Sequence, residues 1–247
     1  KAGVTLSLKN LVGLTNEKRW LPHHRVGTIA EGGDMLPEDA PVANRAAERI
    51  VEFFKSNRFG RFGFTYVLPV LRRIYGLGIG QFLARVEKRD PIQWHEGDWH
   101  GNDTVWRMVL DLNQILLYSD KQGRLHDAPQ KRYFSCIDGI IAGEKEGPLN
   151  PRPKKSGLLI GGFNPVAVDL ACIRLMGYDY RKIPIMTGVD RMARPLNFES
   201  DIDQLWKRLE VTSNCEPLFR LTTTSEIFQR FEPCLGWTGH IELDEAL

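Results

Sequence analysis

Leu158-Leu159-Ile160-Gly161-Gly162-Phe163-Asn164-Pro165-Val166-Ala167-Val168-Asp169, running on to Met176-Gly177, is the stretch that decides the fold class. The apolar triplet Leu158 to Ile160 predicts a strand buried on both faces, as a parallel sheet requires. Asn164 then caps a helix that Pro165 opens, with Val166, Leu170, Ile173 and Met176 facing inward and Gly177 just past its end. Strand, helix and glycine in that order make half of a β-α-β unit. The expected architecture is α/β, a mainly parallel or mixed sheet flanked by helices, with long loops forming a cleft. Asp169 has two readings: a charge well placed near the positive helix end, or a carboxylate held rigidly under a site.

Outward from that unit, Tyr133 to Ile137 predicts a short strand ending in Asp138-Gly139, and Asp138 becomes a candidate because ligands gather beyond the carboxyl ends of such strands. The loop from Gly143 to Pro148 is too acidic to cradle a phosphate. Val4 to Leu8 alternates apolar and polar and predicts another strand. Pro41 to about Ser56 has a helical stripe of Val42, Ala46, Ile50 and Phe54. Phe62 to Val86 is apolar nearly all round, but Arg72-Arg73 and several glycines break it, so it lacks the ~20 uninterrupted residues of a membrane span. A core helix or a homo-oligomer interface through 62–86 is expected there in preference to a membrane-surface contact. The whole, 1–247, is expected to be a single α/β domain with a helical excursion at about 41–90. Because it starts on the segment read as a strand, without Met, a preceding portion is expected to be missing.

The chemistry concentrates in His95-Glu96-Gly97-Asp98-Trp99-His100-Gly101-Asn102-Asp103, where two imidazoles and several carboxylates stand just before a helix. That helix runs from about Thr104 to Tyr118, with Val105, Met108, Val109, Leu112, Ile115 and Leu116 on one face and Asn102 or Asp103 as its cap. Asp103, Arg107 and Asp111 follow at intervals that allow a carboxylate, guanidinium, carboxylate ladder. The helix N-terminus offers N–H groups to an anion. A long loop, Leu14 to Asp39, carries His23, His24, Arg25 and Asp34, and loops of that length are usually functional or disordered.

Charge and cysteine usage narrow the class. Lys+Arg 33 against Asp+Glu 31 leaves a formal charge of +2, which gives no field for nucleic acid. Cys136, Cys172, Cys215 and Cys234 form no C-x-x-C pair, so neither a redox couple nor an iron-sulfur cluster is expected. A cytoplasmic location is expected from the cysteines and from a start that does not read as a signal peptide.

Taken together, Lys9-Asn10-Leu11-Val12-Gly13, Leu21-Pro22-His23-His24-Arg25, Gly32-Gly33-Asp34, Gly101-Asn102-Asp103-Thr104, Asp111-Leu112-Asn113, Ile137-Asp138-Gly139-Ile140, Asn164-Pro165 through Asp169, and Gly236-Trp237-Thr238-Gly239-His240-Ile241 have a familiar form. The combination resembles the bacterial and archaeal family called domain of unknown function 362. The resemblance implies no particular reaction, and the iron-sulfur cysteine motifs of many relatives are missing here.

Three functions fit these residues. The first is an enzyme with a divalent metal, zinc, manganese or iron, held by His95, Asp98, His100 and Asp103 with Asp34 from the long loop. In the second, metal-free enzyme, His95 or His100 is the general acid or base, Asp98 or Asp103 orients it, and Arg25 and Arg107 grip an anionic small molecule, phosphate or carboxylate. His23, His24, Asn102 and Asp138 complete the expected substrate contacts. The third is a ligand-binding or scaffold subunit that docks through 62–86.

Overall fold

The computed structural model describes residues 2–14, 21–40, 97–148, 150–196, 201–214 and 229–244. His95, Cys215, the expected helix at 41–56 and the apolar segment 62–86 lie outside them. The described elements are α1 (Ser7–Asn10), α2 (Val105–Tyr118), β1 (Ser135–Glu146), β2 (Asn150–Gly162), α3 (Pro165–Met176), α4 (Pro184–Thr187) and α5 (Ile202–Lys207), joined by loops and short 3-10 turns. Helix and strand are mixed, as an α/β reading requires.

The sheet corrects one expectation. Among the described residues it is a two-stranded antiparallel hairpin, with Ser135 opposite Gly162 and Glu146 opposite Asn150. Leu158 and Ile160 pack against Ala171 and Leu175 of α3, while Leu159 between them is 64% exposed. The triplet therefore belongs to a strand covered on one face only, where apolar content alone suggested two. The supposed acidic loop Gly143 to Glu146 is the end of β1. Glu144 sits opposite Arg152 and is buried, accepting from Arg152 Nε (2.8 Å), Lys154 Nζ (3.2 Å) and the Glu232 N–H (3.0 Å). Burial pushes the Glu144 pKa up, but those donors outweigh it and hold the carboxyl below its ordinary range.

The helices follow the sequence more closely. Asn164 Oδ1 accepts from the N–H groups of Val166 (3.0 Å) and Ala167 (3.2 Å), Pro165 takes the first helical position, and Gly177 ends α3 at φ +79°. In α2, Val105, Met108 and Val109 are buried, but Ile115 is 51% exposed.

The expected strand at Val4 to Leu8 is instead an irregular segment leading into α1. Asp169 is the reason: its Oδ1 accepts from Ser7 N–H (2.7 Å) and its Oδ2 from Leu8 N–H (3.1 Å), the donors that a helix leaves unpaired at its start. From the other side Asn113 of α2 donates through Nδ2 to Leu8 O and to Val109 O, both at 2.8 Å. One turn of helix is thus pinned between α2 and α3.

Asp169 is almost wholly enclosed, and burial pushes its pKa up to about 7 against the pull of the two N–H groups. An acid whose folded pKa exceeds its unfolded value stabilises below the unfolded pKa and loses that contribution as pH rises through the folded one. The stability advantage of wild type over Asp169→Asn should therefore narrow between about pH 4 and pH 8. Denaturant titrations of both proteins across that window check this, and a constant or widening gap contradicts it.

Candidate functional site

Two loops far apart in sequence close on the start of α2. The first, residues 21–36, turns on itself: Asp34 N–H donates to Arg25 O (3.1 Å), Met35 N–H to Gly27 O (3.0 Å) and Gly33 N–H to Thr28 O (2.8 Å). Gly33 has no room for a side chain, since a Cβ there would stand 2.2 Å from Val26 O. The second loop, residues 97–104, is stitched to the first. Gly97 N–H donates to Met35 O (2.9 Å), Trp99 Nε1 to Asp34 O (2.9 Å) and Asn102 Nδ2 to His23 O (2.8 Å).

Asp34 is the centre of this arrangement. Its side chain is 1% exposed, and it takes donors from both loops. Oδ1 accepts from Arg25 N–H, while Oδ2 accepts from Asp103 N–H (2.9 Å) and Thr104 Oγ1 (2.7 Å) and lies 3.6 Å from the Arg25 guanidinium. Asn102 Oδ1 takes the next two N–H groups, Thr104 (3.2 Å) and Val105 (2.9 Å). The α2 N-terminus, read from sequence as open to an outside anion, is thus served by a carboxylate and an amide of the chain itself. Asp34 acts here as a latch; the N-cap position is Thr104, whose side chain makes no cap bond, and Asn102 does the capping from two residues before it.

The other candidate residues fall into separate places. Asp103 is half-buried at the helix mouth, where it accepts from Trp106 Nε1 (3.0 Å) and Arg107 NH2 (3.0 Å). Arg107 also lies over the Trp106 ring at 4.3 Å, which fixes the guanidinium plane. His23 turns its Nδ1 to Leu21 O (3.0 Å), and His24 lies against Gly97. Asp98 is buried and accepts from the Cys234 thiol at 3.5 Å; burial, aided by that carboxylate, pushes the thiol pKa up to about 12. Asp138 is exposed on β1, where its carboxylate accepts from Ile140 N–H (3.1 Å), and it lines a different cavity from Arg25 and Arg107. Among the described residues, no three of His, Cys, Asp and Glu are grouped so that they could hold a metal ion.

His100 has a partner that was not paired with it from sequence. Its ring stacks on His240 with centroids 3.5 Å apart and planes 18° from parallel, and its N–H donates to Gly236 O (2.9 Å). Burial, first, and the neighbouring imidazole lower its pKa, which favours the neutral ring. The signal for this contact was the Gly236-Trp237-Thr238-Gly239-His240 run. Thr104 and Trp99, the other two groups on Asp34, were also missed, because neither residue type suggests a site alone.

Beside the latch lies a groove of about 520 Å³, lined by Leu21, Pro22, Arg25, Arg107, Met108 and Leu112 together with Asp103, Thr104 and Asp111. Arg25, from the first loop, and Arg107, from the first turn of α2, are 58% and 55% exposed and both line it. The latch ties the loop that carries Arg25 to the start of the helix that carries Arg107.

A family model described as a domain of unknown function (DUF362) matches residues 1–174, a span that contains the latch, the groove and His100 but not His240. No curated protein and no solved structure matches the chain. Among the described residues, no helix is long and apolar enough to cross a membrane.

Proposed function

We propose, for a chain that belongs to the domain of unknown function 362 family, that it binds a small anionic molecule, a phosphate or a carboxylate, in the groove beside α2. The observation that carries this reading is the meeting of Arg25 and Arg107 over an apolar floor of Leu21, Pro22, Met108 and Leu112. Arg107 spends Nε and one NH2 on Asp103, and its remaining amino group has no bond to a described residue. A guanidinium held on one edge and open on the other suits a planar carboxylate or a phosphate oxygen pair. The long loops then form the walls of a cleft.

Catalysis is a second reading, favoured by the depressed pKa of His100. A neutral, exposed imidazole is ready to take a proton as general base. A divalent metal, zinc, manganese or iron, would need His95 beside Asp98, His100 or Asp103, since Asp34 is committed to the latch and no three described residues are grouped to hold an ion.

Isothermal titration of inorganic phosphate and of succinate tests the main reading. Wild type should bind at least one of them, more weakly as salt is raised. Arg25→Ala and Arg107→Ala should each lose about tenfold in affinity, the scale of one charge-assisted hydrogen bond. No binding of either anion, or unchanged affinity in both variants, overturns it.

A further inference from the structure

A second cavity lies away from the anion groove, between the N-terminal segment, the hairpin, α3 and residues 229–234. It encloses about 320 Å³, and its walls are mainly apolar, among them Val4, Ile137, Leu158, Met176 and Phe231. That volume is at the lower end of small-molecule sites, which are lined in this way with a few placed polar groups.

One such group is available. Tyr178 lines the cavity and is 3% exposed, yet its hydroxyl has no hydrogen-bond partner among the described residues. Buried tyrosine hydroxyls usually find a partner. The other two here do: Tyr118 donates to Pro195 O at 2.6 Å and Tyr180 to Asp203 Oδ1 at 2.5 Å. Burial raises the pKa of the Tyr178 phenol, helped by Glu242, Cys234, Glu144 and Glu232. The last three line the cavity together with Tyr178, and the raised pKa keeps the phenol protonated as a donor.

Most of the remaining polar wall groups are committed. Glu144 is held by Arg152 and Lys154, Lys145 pairs with Glu232 at 3.0 Å, and Ser156 and Gln229 bond each other. The wall therefore has no open cation for an anion, and its one carboxylate without a cationic partner among the described residues is Asp138, exposed on β1 and accepting from Ile140 N–H. Apart from the exposed Thr5 hydroxyl, which accepts from Lys9 Nζ at 3.2 Å, the wall offers apolar surface and the Tyr178 O–H. We propose that this cavity binds an uncharged, mainly apolar carbonyl compound whose oxygen accepts a hydrogen bond from Tyr178.

Prodan, an uncharged naphthyl ketone whose emission responds to hydrogen bonding at its carbonyl, is a direct probe, with N-phenylnaphthylamine as a counterpart lacking the carbonyl. Wild type should bind both saturably. Tyr178→Phe should weaken Prodan about fivefold, the value of one net hydrogen bond, and leave the second probe unchanged. Ala142→Trp, which fills the cavity from β1, should abolish both. Absent binding to wild type, equal Prodan affinity in Tyr178→Phe, equal loss of both probes in that variant, or full binding to Ala142→Trp would each overturn the proposal. Because Arg25 and Arg107 are not involved, failure here leaves the anion reading untouched.

Discussion

Replacing Gly236 by alanine is expected to destabilise the protein by about 3 kcal/mol or more, the upper range for forcing atoms into packed structure. A Cβ at this position would stand 2.1 Å from Asp98 O and 2.8 Å from Trp99 Cα. Both are backbone atoms, so no side-chain rotation relieves the contact. The loops 97–104 and 234–241 must move apart, and the bond from His100 N–H to Gly236 O goes with them. The His100 and His240 rings should unstack, so His100 should titrate closer to an ordinary imidazole as its cover and its neighbour withdraw. Thermal unfolding should shift down by roughly 6–12 °C for a chain of this size, and proton NMR of the imidazoles reads the titration. Gly239→Ala is the control: its φ of +79° strains an alanine, but nothing lies within 4 Å of the added carbon. It should cost only about 1 kcal/mol. Equal losses in the two variants would mean that the backbone approach at Gly236 is not what holds the loops together.

Asp34→Ala should cost about 3 kcal/mol, because three donors lose their acceptor where water cannot easily replace it. They are Arg25 N–H, Asp103 N–H and Thr104 Oγ1, around a side chain only 1% exposed. Asp34→Asn keeps the shape but turns one oxygen into a donor facing donors, so it should fall between wild type and alanine. The alanine variant should also lose anion affinity with Arg25 and Arg107 both intact, since the latch ties the Arg25 loop to the start of the helix that carries Arg107. Urea unfolding together with phosphate and succinate titration separates these effects. A stability within about 0.5 kcal/mol of wild type, the range of an ordinary surface change, would remove Asp34 from its central place.

What could be read in the sequence was local. The period of α2, the Asn164 cap, Pro165 and the Gly177 stop all act within a few residues, and α2 and α3 appear where that spacing put them. The polar loops were also visible, since histidines and acids among glycines stand out from the apolar periods around them. What escaped depends on partners distant in the chain. Asp34 follows two glycines with no spacing to announce a latch, and its acceptor role needs Asp103 and Thr104, 69 and 70 positions further on. Val4 to Leu8 alternates like a strand, but Asp169 supplies a helix start at Ser7 from 162 residues away. Leu158 to Ile160 is apolar enough for a parallel sheet, and only the pairing with β1 leaves Leu159 facing out. Similarly, the glycine-bearing run that ends in His240 stood out in the sequence, but nothing in it named His100 as the partner.

Amide hydrogen exchange at Asp103 is the most direct test of the latch at the mouth of α2. This N–H lies before the first helical residue and its acceptor is Asp34 Oδ2 at 2.9 Å. It should be protected in wild type and exchange freely in Asp34→Ala, while the amide of Leu110 in the helix interior stays protected in both. An Asp103 amide that exchanges freely in wild type, or stays protected once Asp34 is gone, would contradict the account.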